Sequence, residues 1–510
     1  MKRYRHCLLA AVFVLLTLWV DIASAWTFSK MSLGGWAFVF LRTVEYTLVL
    51  VGLGVALGPW ARVLLFPVLI WSALMGPLNW YMVSHHGFSL CGDTWMVLAG
   101  SSLRETLGYV SEALNVWVVL AFVGLLAYVV LMVRLVWLAT ACTFCGWCRT
   151  AGVVLVVAVC ACLGGQFRSA ISYGFVHDGL KAAALYMDMA ETVEKPVLPD
   201  GLSLACPNAV GVFVIGESAS RNSWSLYGYK RPTTSALDAI ADELYVFRDV
   251  VAPWASTHAA LRLVMSEADL DNPEGLARCF LPQICAKAGY RCVFITAQEH
   301  WGGVDISGDY LFSACEEKIR LSKMFSRPYY DLDLSVAVSN VLANVNGPTL
   351  IFAHTYGNHF PCSDRYPHEQ AFFGREGSRT RIDEYDNATR CTTTAIRRII
   401  DALKAGGKPS FCFYLSDHGE TPRSDSWRNQ HDSDCWEIPM FFWMSEAFAA
   451  SYPQLKEELP RSLEKPLQAD QLLAGLTELF GVRGYCSGSS FLRDDFHPRR
   501  PRRINKALRA

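Results

Sequence analysis

The stretch Ala209-Val-Gly-Val-Phe-Val-Ile-Gly-Glu217-Ser-Ala-Ser-Arg221 lies in the middle of a chain of 510 residues. Its apolar, β-branched run has no helical period, which predicts a buried parallel strand. The run ends on Glu217, and ligands of open α/β sheets collect at the carboxyl ends of the strands. We therefore expect Glu217 to take part in the chemistry of the protein.

Strand and helix patterns alternate from this stretch onward. Strands are predicted at 210–216, 243–248, 291–296, 349–354, 411–416 and 439–443. Helices are predicted at 234–242, 258–268, 277–288, 334–345, 386–405 and 469–479. Strands separated by helices of this length predict a largely parallel sheet with helices on both faces.

The chain before this α/β region is strongly apolar, and it holds most of the excess that makes the sequence 52% hydrophobic. Five apolar stretches have about the 20 residues that a bilayer crossing requires; they lie at 7–26, 36–58, 61–82, 114–139 and 151–167. The basic start of the chain, Lys2 to Arg5, predicts a cytoplasmic N-terminus. Five crossings from a cytoplasmic start then place everything after about residue 168 on the outer side of the membrane.

Three parts follow from this pattern: a transmembrane domain of five helices at 1–167, a linker with a bridging helix at 168–208, and an outer domain at 209–510. Residues 1–25 also have the features of a cleavable signal peptide, with a basic start, an apolar core and Ala23-Ser-Ala25. Cleavage there would leave the orientation of the later crossings unchanged.

Charge and cysteine content indicate which partners and which kinds of site the chain can have. The net charge is −1, and no basic stripe interleaved with aromatic residues is present, so we expect no nucleic-acid partner. The basic tail after His497 has two interpretations, a solvated tail or a contact with anionic lipid. Cys142, Cys145 and Cys148 form a CxxCxxC run in a predicted cytoplasmic loop, where they are either metal ligands or ordinary thiols.

Chemically active side chains follow three of the predicted strands. Glu217 follows the first, Asp417 and His418 follow another, and a third runs into His354 and, five residues later, His359. Carboxylates and imidazoles from separate strand ends are a ligand set that Zn²⁺ accepts. The sequence therefore predicts a zinc site at this edge of the sheet.

Five motifs, taken together, resemble those of the phosphoethanolamine transferases of Gram-negative envelopes, which belong to the alkaline phosphatase/sulfatase superfamily. The motifs are Gly216-Glu-Ser-Ala-Ser-Arg221, Leu226-Tyr-Gly-Tyr-Lys-Arg-Pro-Thr-Thr234, Gly357-Asn-His359, Tyr385-Asp-Asn387 and Ser416-Asp-His-Gly-Glu420. The resemblance covers the whole chain, including the five N-terminal crossings. It implies a five-helix transmembrane domain and a sulfatase-like (alkaline phosphatase-like) α/β domain.

The resemblance also implies roles for individual residues. Thr257 is the implied nucleophile, with Ser256 as the alternative, and the implied zinc ligands are Glu217, Thr257, Asp417 and His418. The implied contacts to the phosphoethanolamine phosphate, or to a second zinc, are His359 and His431. Gln298 stands where the family often has Asn, and the resemblance implies a phosphate contact for it.

The implied reaction is the transfer of phosphoethanolamine from phosphatidylethanolamine to lipopolysaccharide through a phosphothreonine-type intermediate. The resemblance further implies a multi-pass inner-membrane protein with a periplasmic catalytic domain, and we expect a monomer. The acceptor stays open between lipid A phosphate, a core heptose and another glycan, with the motifs closer to the core-modifying branch.

Other enzyme classes fit the motifs less well. A sulfatase-like hydrolase of the same superfamily would need a C/S-x-P-x-R segment at the nucleophile position, and none is present. A phosphoglycerol transferase shares the crossings and the threonine, and the Tyr-Gly-Tyr and Arg-Pro-Thr-Thr motif argues against it. A serine hydrolase elbow, G-x-S-x-G, would need glycine where this chain has Ser220.

Overall fold

The computed structural model describes residues 2–24, 33–82, 90, 116–141, 145–163, 176, 180, 196–272, 278–298, 310–321, 329–423, 432–485, 488–498, 502–504 and 508–509. The chain divides into two compact units, with the main boundary between Ala183 and Ala184. The sequence predicts the bridging helix of the 168–208 linker at 179–194, and of this helix only Leu180 lies within the described residues. The predicted limits of the linker therefore stay predictions.

The first unit is helical. Its helices are α1 (Lys2–Ser24), α2 (Leu33–Leu57), α3 (Ala61–Tyr81), α4 (Val116–Thr140) and α5 (Gly146–Leu163). Among the described residues, three stretches are long and apolar enough to cross a membrane, Cys7–Ser24, Trp36–Tyr81 and Val116–Thr140, and Gly146–Ala161 is a shorter apolar helix. The predicted helical membrane region is therefore present, and its division into five crossings stays a prediction.

The long apolar stretch Trp36–Tyr81 consists of α2 and α3, which are separated by the 3-10 turn Gly58–Trp60. Gly58 has a φ of 55°, a left-handed conformation that glycine adopts without steric cost and that ends α2. Within α2, Arg42 and Glu45 form an ion pair with a 2.8 Å N–O distance. This pair is the internal charge compensation expected for ionisable groups in an apolar helix.

The start of α3 is tied to the end of α4. The Arg62 guanidinium donates hydrogen bonds to Thr140 Oγ1 and to the Trp137 carbonyl, both at 3.0 Å, and lies 3.7 Å from the centre of the Trp137 ring. A Cβ on Gly58 would lie 4.0 Å from the Arg149 guanidinium near the start of α5. The α2–α3 turn, the end of α4 and the start of α5 therefore lie at the same end of the helical unit. Arg62 and Arg149 both lie at this end, which the positive-inside rule assigns to the cytoplasm.

The second unit is a layered α/β structure. Its helices are α6 (Ser235–Asp238), α7 (Thr257–Val264), α8 (Leu281–Ala288), α9 (Asp331–Ala343), α10 (Arg381–Ala405), α11 (Glu446–Ser451), α12 (Pro453–Glu458) and α13 (Leu473–Leu479). Its strands are β1 (Ser203–Leu204), β2 (Val210–Gly216), β3 (Tyr245–Phe247), β4 (Val250–Val251), β5 (Arg291–Thr296), β6 (Glu317–Arg320), β7 (Thr349–His354), β8 (Ser410–Ser416), β9 (Met440–Met444), β10 (Leu467–Gln468), β11 (Val482–Arg483), β12 (Arg503–Ile504) and β13 (Leu508–Arg509).

Seven of these strands form the main sheet, in the order β3-β9-β8-β2-β7-β5-β6. The strands from β8 to β6 run parallel, whereas β9 pairs antiparallel with both β8 and β3. The largely parallel sheet predicted from the sequence is therefore confirmed, with an antiparallel edge added to it. The three most central strands, β8, β2 and β7, are buried along their whole length.

Helices cover both faces of this sheet, and each face has its own hydrophobic core. Alternate residues of one strand point into opposite cores: Phe213 and Ile215 pack on one side, and Val212 and Val214 on the other. Helices α7, α8 and α13 close the first core, and α9 and α10 close the second. This arrangement leaves the carboxyl ends of the parallel strands at one edge of the sheet, where loops and helix N-termini meet.

Candidate metal centre

Glu217 follows β2 directly and is completely buried. Strand β2 lies between β7 and β8, so its last residues stand beside the ends of both neighbours. Ile215 pairs with His354 of β7, and Gly216 pairs with Ser416 of β8. The register therefore brings Glu217, His354 and the residue after Ser416 to one place.

The turn after Glu217 has an unusual backbone conformation. Ser218 has a φ of 55°, a conformation in which a side chain other than that of glycine is strained. Its backbone N–H donates to Asp417 Oδ1 at 2.9 Å, and its hydroxyl donates to Glu217 Oε1 at 2.7 Å. These bonds hold the turn and orient the carboxylate, so Ser218 supports Glu217.

Tyr385, from α10, fixes the same turn from the other side. Its buried hydroxyl donates to the Ser218 carbonyl at 2.7 Å and accepts from the Ser220 N–H at 2.8 Å. One side chain therefore satisfies two buried backbone groups that the turn leaves without a sheet partner.

Asp417 and His418 enter from the end of β8. Asp417 Oδ1 accepts from the His418 N–H at 2.6 Å, whereas Asp417 Oδ2 is buried with no hydrogen-bond partner among the described residues. His418 Nδ1 lies 2.9 Å from the Gly419 carbonyl, which only accepts, so Nδ1 carries a proton. In the neutral ring the lone pair is therefore on Nε2, which lies 3.4 Å from Asp417 Oδ2.

Thr257 begins α7, one residue before the predicted start of this helix, and Ser256 is its N-cap residue. The Thr257 hydroxyl donates to Glu217 Oε2 at 3.0 Å and lies 3.5 Å from His418 Nε2. The N-terminus of a helix presents backbone N–H groups and the positive end of the helix dipole, both of which favour a phosphate. The same hydroxyl therefore contacts the acidic cluster and stands at a place suited to an anion.

Gln298 and His354 lie next to the same carboxylate. Gln298 Nε2 donates to Glu217 Oε2 at 2.7 Å and is 3.0 Å from His354 Nε2. His354 Nε2 is itself 3.7 Å from Glu217 Oε2. The strand-end pattern predicted His354 at this edge of the sheet, whereas the family resemblance implied no role for it.

The two remaining predicted residues are His359, which the structure describes, and His431, which it does not. His359 is half-buried, and its Nδ1 lies 2.9 Å from the Phe360 carbonyl, so Nδ1 is protonated there as well. His359 contributes to lowering the pKa of Glu217. His431 lies outside the described residues, so its expected role is untested.

The electrostatics of the cluster are those of two carboxylates in one buried space. Burial alone raises the pKa of Glu217, but His354, His359 and His418 outweigh it and hold that pKa well below its ordinary value. Burial and the negative charge of Glu217 raise the pKa of Asp417 well above its ordinary value. A divalent cation would cancel this repulsion, and its own charge would then dominate the site.

The residues present fit a zinc ion on three grounds. Glu217, Asp417 and His418 each offer a ligand atom, and these atoms lie within 4.8 Å of one another. Four ligand atoms about 2.0–2.1 Å from a tetrahedral zinc are roughly 3.4 Å apart, and the Thr257–Glu217, His418–Asp417 and Thr257–His418 distances are 3.0, 3.4 and 3.5 Å. The unpartnered Asp417 Oδ2 and the His418 Nε2 lone pair are the atoms that a metal would bind.

Comparison with known proteins agrees with this architecture. Residues 210–482, more than half of the chain, match the family described as Sulfatase. The chain belongs to the sulfatase family. The chain is similar to phosphoethanolamine transferase EptC of Escherichia coli strain K12. The two sequences are 28% identical over 297 residues, which make up 53% of this chain and 50% of the relative. The match thus spans about half the length of that relative.

Two solved structures are also similar. One is the C-terminal periplasmic domain of Escherichia coli EptC in complex with zinc, which is 26% identical to this chain. The alignment covers 60% of this chain and 92% of the solved domain, with a TM-score of 0.54. The other is the integral membrane protein lipooligosaccharide phosphoethanolamine transferase A of Neisseria meningitidis, which is 18% identical to this chain. That alignment covers 95% of this chain and 97% of the solved protein, with a TM-score of 0.66. The second likeness concerns the fold, including its helical part.

These comparisons confirm the predicted resemblance to phosphoethanolamine transferases and the predicted sulfatase-like α/β fold next to a helical membrane region. The structure brings Glu217, Thr257, Asp417, His418 and Gln298 together, as the resemblance implied. The chemical role of each of these residues stays a prediction.

The structure also assigns contacts to a motif whose residues had no expected role. In Leu226–Thr234, the Arg231 guanidinium bonds to Asp383 at 2.6 Å and Asp386 at 2.8 Å near the start of α10. Tyr229 donates its hydroxyl to Asp386 at 3.1 Å. The motif therefore links the chain that leaves Glu217 to the helix that carries Tyr385.

Proposed function

We propose that the chain transfers phosphoethanolamine from phosphatidylethanolamine to lipopolysaccharide, with Thr257 as the nucleophile. One observation carries the proposal: the hydroxyl at the start of α7 lies against Glu217 and His418 in a buried cluster that fits zinc. The relatives named as phosphoethanolamine transferases support the choice of substrate group. Zinc bound by Glu217, Thr257, Asp417 and His418 would lower the pKa of the threonine hydroxyl and neutralise charge on the phosphoryl group.

Thr257, Glu217 and the first N–H groups of α7 each have a role in the first half of the reaction. The Thr257 oxygen attacks phosphorus, the bond from phosphorus to the diacylglycerol oxygen breaks, and the phosphoethanolamine group stays on Thr257. The hydroxyl proton has an acceptor at Glu217 Oε2, 3.0 Å away. The N–H groups at the start of α7 face the phosphoryl oxygens, where they stabilise developing negative charge.

The histidines serve proton transfer and binding. The departing diacylglycerol oxygen needs a proton, and the attacking acceptor hydroxyl must lose one in the second half of the reaction. We assign these transfers to His359 and His431, and phosphate contacts to His359, His431 and Gln298. In His359, protonated Nδ1 bonds to the Phe360 carbonyl, which fixes the orientation of the ring.

We place the protein in the inner membrane as a monomer with five crossings and a periplasmic catalytic unit. The three apolar stretches support membrane insertion, and the similar EptC domain is described as periplasmic. A membrane location suits this reaction because donor and acceptor are both anchored in bilayers.

A single-turnover experiment tests the proposal. The full chain in detergent, loaded with zinc, is mixed with phosphatidylethanolamine in the absence of acceptor, and tryptic peptides are analysed by mass spectrometry. We expect about one diacylglycerol released per chain and phosphoethanolamine on Thr257. Thr257→Ala should abolish both, and Thr257→Ser should retain a slower reaction because it keeps the hydroxyl.

Other outcomes distinguish the alternatives. An adduct on Ser218 or Ser256 would overturn the assignment of the nucleophile. Reaction with phosphatidylglycerol in preference to phosphatidylethanolamine would establish a phosphoglycerol transferase, and sulfate-ester cleavage without any adduct would establish a sulfatase-like hydrolase. The acceptor is then identified by mass spectrometry of lipid A and core oligosaccharide, separated, from cells with and without the protein.

A further inference from the structure

Two thiols meet at the start of α5, in the helical unit. Cys145 is exposed and Cys148 is half-buried, and their Sγ atoms are 3.1 Å apart. The Arg149 N–H donates to the Cys145 carbonyl at 3.1 Å, so Cys145 occupies the N-cap position of the helix. The pair therefore forms a C-x-x-C arrangement whose first cysteine stands at a helix N-terminus.

This position favours the thiolate of Cys145. The unpaired N–H groups and the dipole at the start of an 18-residue helix stabilise a negative charge there. Contact with the Cys148 thiol lowers the pKa of Cys145. A thiolate is the nucleophile in thiol–disulfide exchange, so Cys145 has the character of the attacking group.

The distance between the two sulfurs suits a reversible bond. A disulfide has an S–S length of about 2.0 Å, so the sulfurs would approach by about 1 Å from their 3.1 Å separation. Two thiols alone do not complete the four-ligand shell of a structural zinc site. Cys142, the third member of the CxxCxxC run, lies outside the described residues.

The location determines the resting state. The start of α5 lies at the same end as the α2–α3 turn, the end with Arg62 and Arg149. The positive-inside rule assigns that end to the cytoplasm, where thiols are kept reduced. The pair would therefore rest as a dithiol and close under oxidising conditions.

We propose that Cys145 and Cys148 are a redox-active dithiol that reacts with low-molecular-weight disulfides. The Cys145 thiolate attacks one sulfur of oxidised glutathione, forms a mixed disulfide and releases one glutathione thiolate. Cys148 loses its proton, attacks Cys145 Sγ and releases the second glutathione. In the net reaction, one protein dithiol and one glutathione disulfide react to give one protein disulfide and two glutathione thiols. The proposal does not depend on the transferase activity.

The test uses the full chain in detergent, equilibrated in glutathione buffers of increasing oxidised fraction and then alkylated and digested. We expect a Cys145–Cys148 disulfide that dithiothreitol reverses, and alkylation of reduced Cys145 that is about tenfold faster at neutral pH than in Cys148→Ser. This variant is the matched control, because it keeps Cys145 at the same helix start and removes only its partner. Cys142→Ser should form the same disulfide as the unchanged chain.

Three results would overturn the proposal. The first is that both thiols remain reduced in every buffer. The second is a disulfide of either cysteine with Cys142 instead of the pair. The third is a metal that protects Cys145 from alkylation until a chelator removes it, which would make the run a metal site.

Discussion

Tyr385 contributes to the site through a hydroxyl group that touches none of the proposed zinc ligands. That hydroxyl bonds to the Ser218 carbonyl and the Ser220 N–H on the two sides of the strained turn. Ser218 in turn binds Glu217 and Asp417. Tyr385 is therefore a positioning residue for two carboxylates, and this accounts for its place in one of the five motifs.

Tyr385→Phe should weaken zinc binding more than its effect on stability alone would suggest. Loss of the hydroxyl leaves two buried backbone groups without a partner, which costs about 1–3 kcal/mol of unfolding free energy. Loss of a group that orients metal ligands lowers metal affinity by about 10–100-fold. Denaturant unfolding and zinc competition with a chelator measure the two effects separately.

Tyr290→Phe is the matched control for this change. Tyr290 is also buried, and its hydroxyl donates to the Phe480 carbonyl at 2.7 Å. We expect a similar loss of stability and unchanged zinc affinity. Equal zinc affinities in the two variants would show that Tyr385 has only a structural role.

Because of Asp386, we expect the free energy of unfolding to depend on pH. It is completely buried beside Arg231, and burial raises its pKa from 3.8 to about 6. Because the folded pKa is the higher one, the folded state binds the proton more tightly. The stabilisation is complete below about pH 3.8 and is lost as the pH rises through about 6.

Asp386→Asn should remove this dependence, which amounts to at most about 3 kcal/mol between pH 4 and 7. Asp383→Asn is the control, because Asp383 also pairs with Arg231 but its pKa is lowered, so its stabilisation is lost as the pH falls. Denaturant unfolding at a series of pH values tests both. A slope that persists in Asp386→Asn would assign the dependence to another group.

At the scale of elements, the sequence predicted the strands that carry the site with unchanged limits or within one residue. Strands β2, β5 and β7 have the predicted limits, because each is an apolar run buried on both faces. Strand β6 was missed because Glu317-Lys-Ile-Arg320 has no apolar run and pairs only along one edge. The antiparallel direction of β9 could not be read from periodicity, which does not give strand direction.

The prediction of the site had the same limits. Glu217, Asp417 and His418 were found because each follows a recognisable strand, and strand ends converge. The conformation of Ser218 and the hydroxyl of Tyr385 depend on contacts between residues 167 apart in sequence, which a single sequence does not reveal. His354 was visible as a strand end, but only the register that places it opposite Ile215 brings it to Glu217.

The loop after β7 contains a glycine that the site requires. Gly357 has a φ of 50°, and a Cβ at this position would lie 2.4 Å from the backbone oxygen of Glu217. The backbone oxygen cannot move aside without moving the metal-binding turn. Gly357→Ala should therefore displace Glu217 and weaken zinc binding by about tenfold or more.

Gly377→Ala separates this clash from backbone strain. Gly377 has a φ of 75°, and a Cβ there would have nothing within 4 Å. Both variants should lose about 1–2 kcal/mol of stability from the left-handed backbone, and only Gly357→Ala should lose zinc affinity in a chelator competition. Normal zinc binding by Gly357→Ala would refute this role of the loop.

At the scale of the whole molecule, the helical unit exposes large aromatic side chains at its two ends. Trp60 and Trp147 are exposed at the end that holds the α2–α3 turn and the start of α5. Trp117 is exposed at the start of α4, the opposite end from the Arg62 contact. Tryptophan concentrates at both membrane–water interfaces. The distribution supports a bilayer position for these helices, with the two short connections on one side.

The α/β unit should depend on metal for its stability. Two buried carboxylates in one cluster destabilise the metal-free fold, and a cation that binds only the folded state adds stability. At a free zinc concentration 100-fold above the dissociation constant, the gain is about 2.7 kcal/mol. Thermal unfolding of the full chain should therefore shift to lower temperature with a chelator and return when zinc is restored.

Asp417→Asn should reverse part of this behaviour. The asparagine oxygen can keep the bonds that Oδ1 accepts from the backbone of Ser218 and His418, and its NH₂ group can donate to His418 Nε2, which lies 3.4 Å from Oδ2. Because burial and Glu217 raise the pKa of Asp417, the metal-free fold must either take up a proton there or bear a disfavoured charge. Asparagine avoids both, so the metal-free variant should be about 1–3 kcal/mol more stable than the unchanged chain at neutral pH. Removal of a ligand should abolish the shift caused by zinc. Asp386→Asn, which changes a buried carboxylate outside the cluster, should keep that shift. Zinc stabilisation that survived in Asp417→Asn would mean that the ion binds elsewhere in the chain.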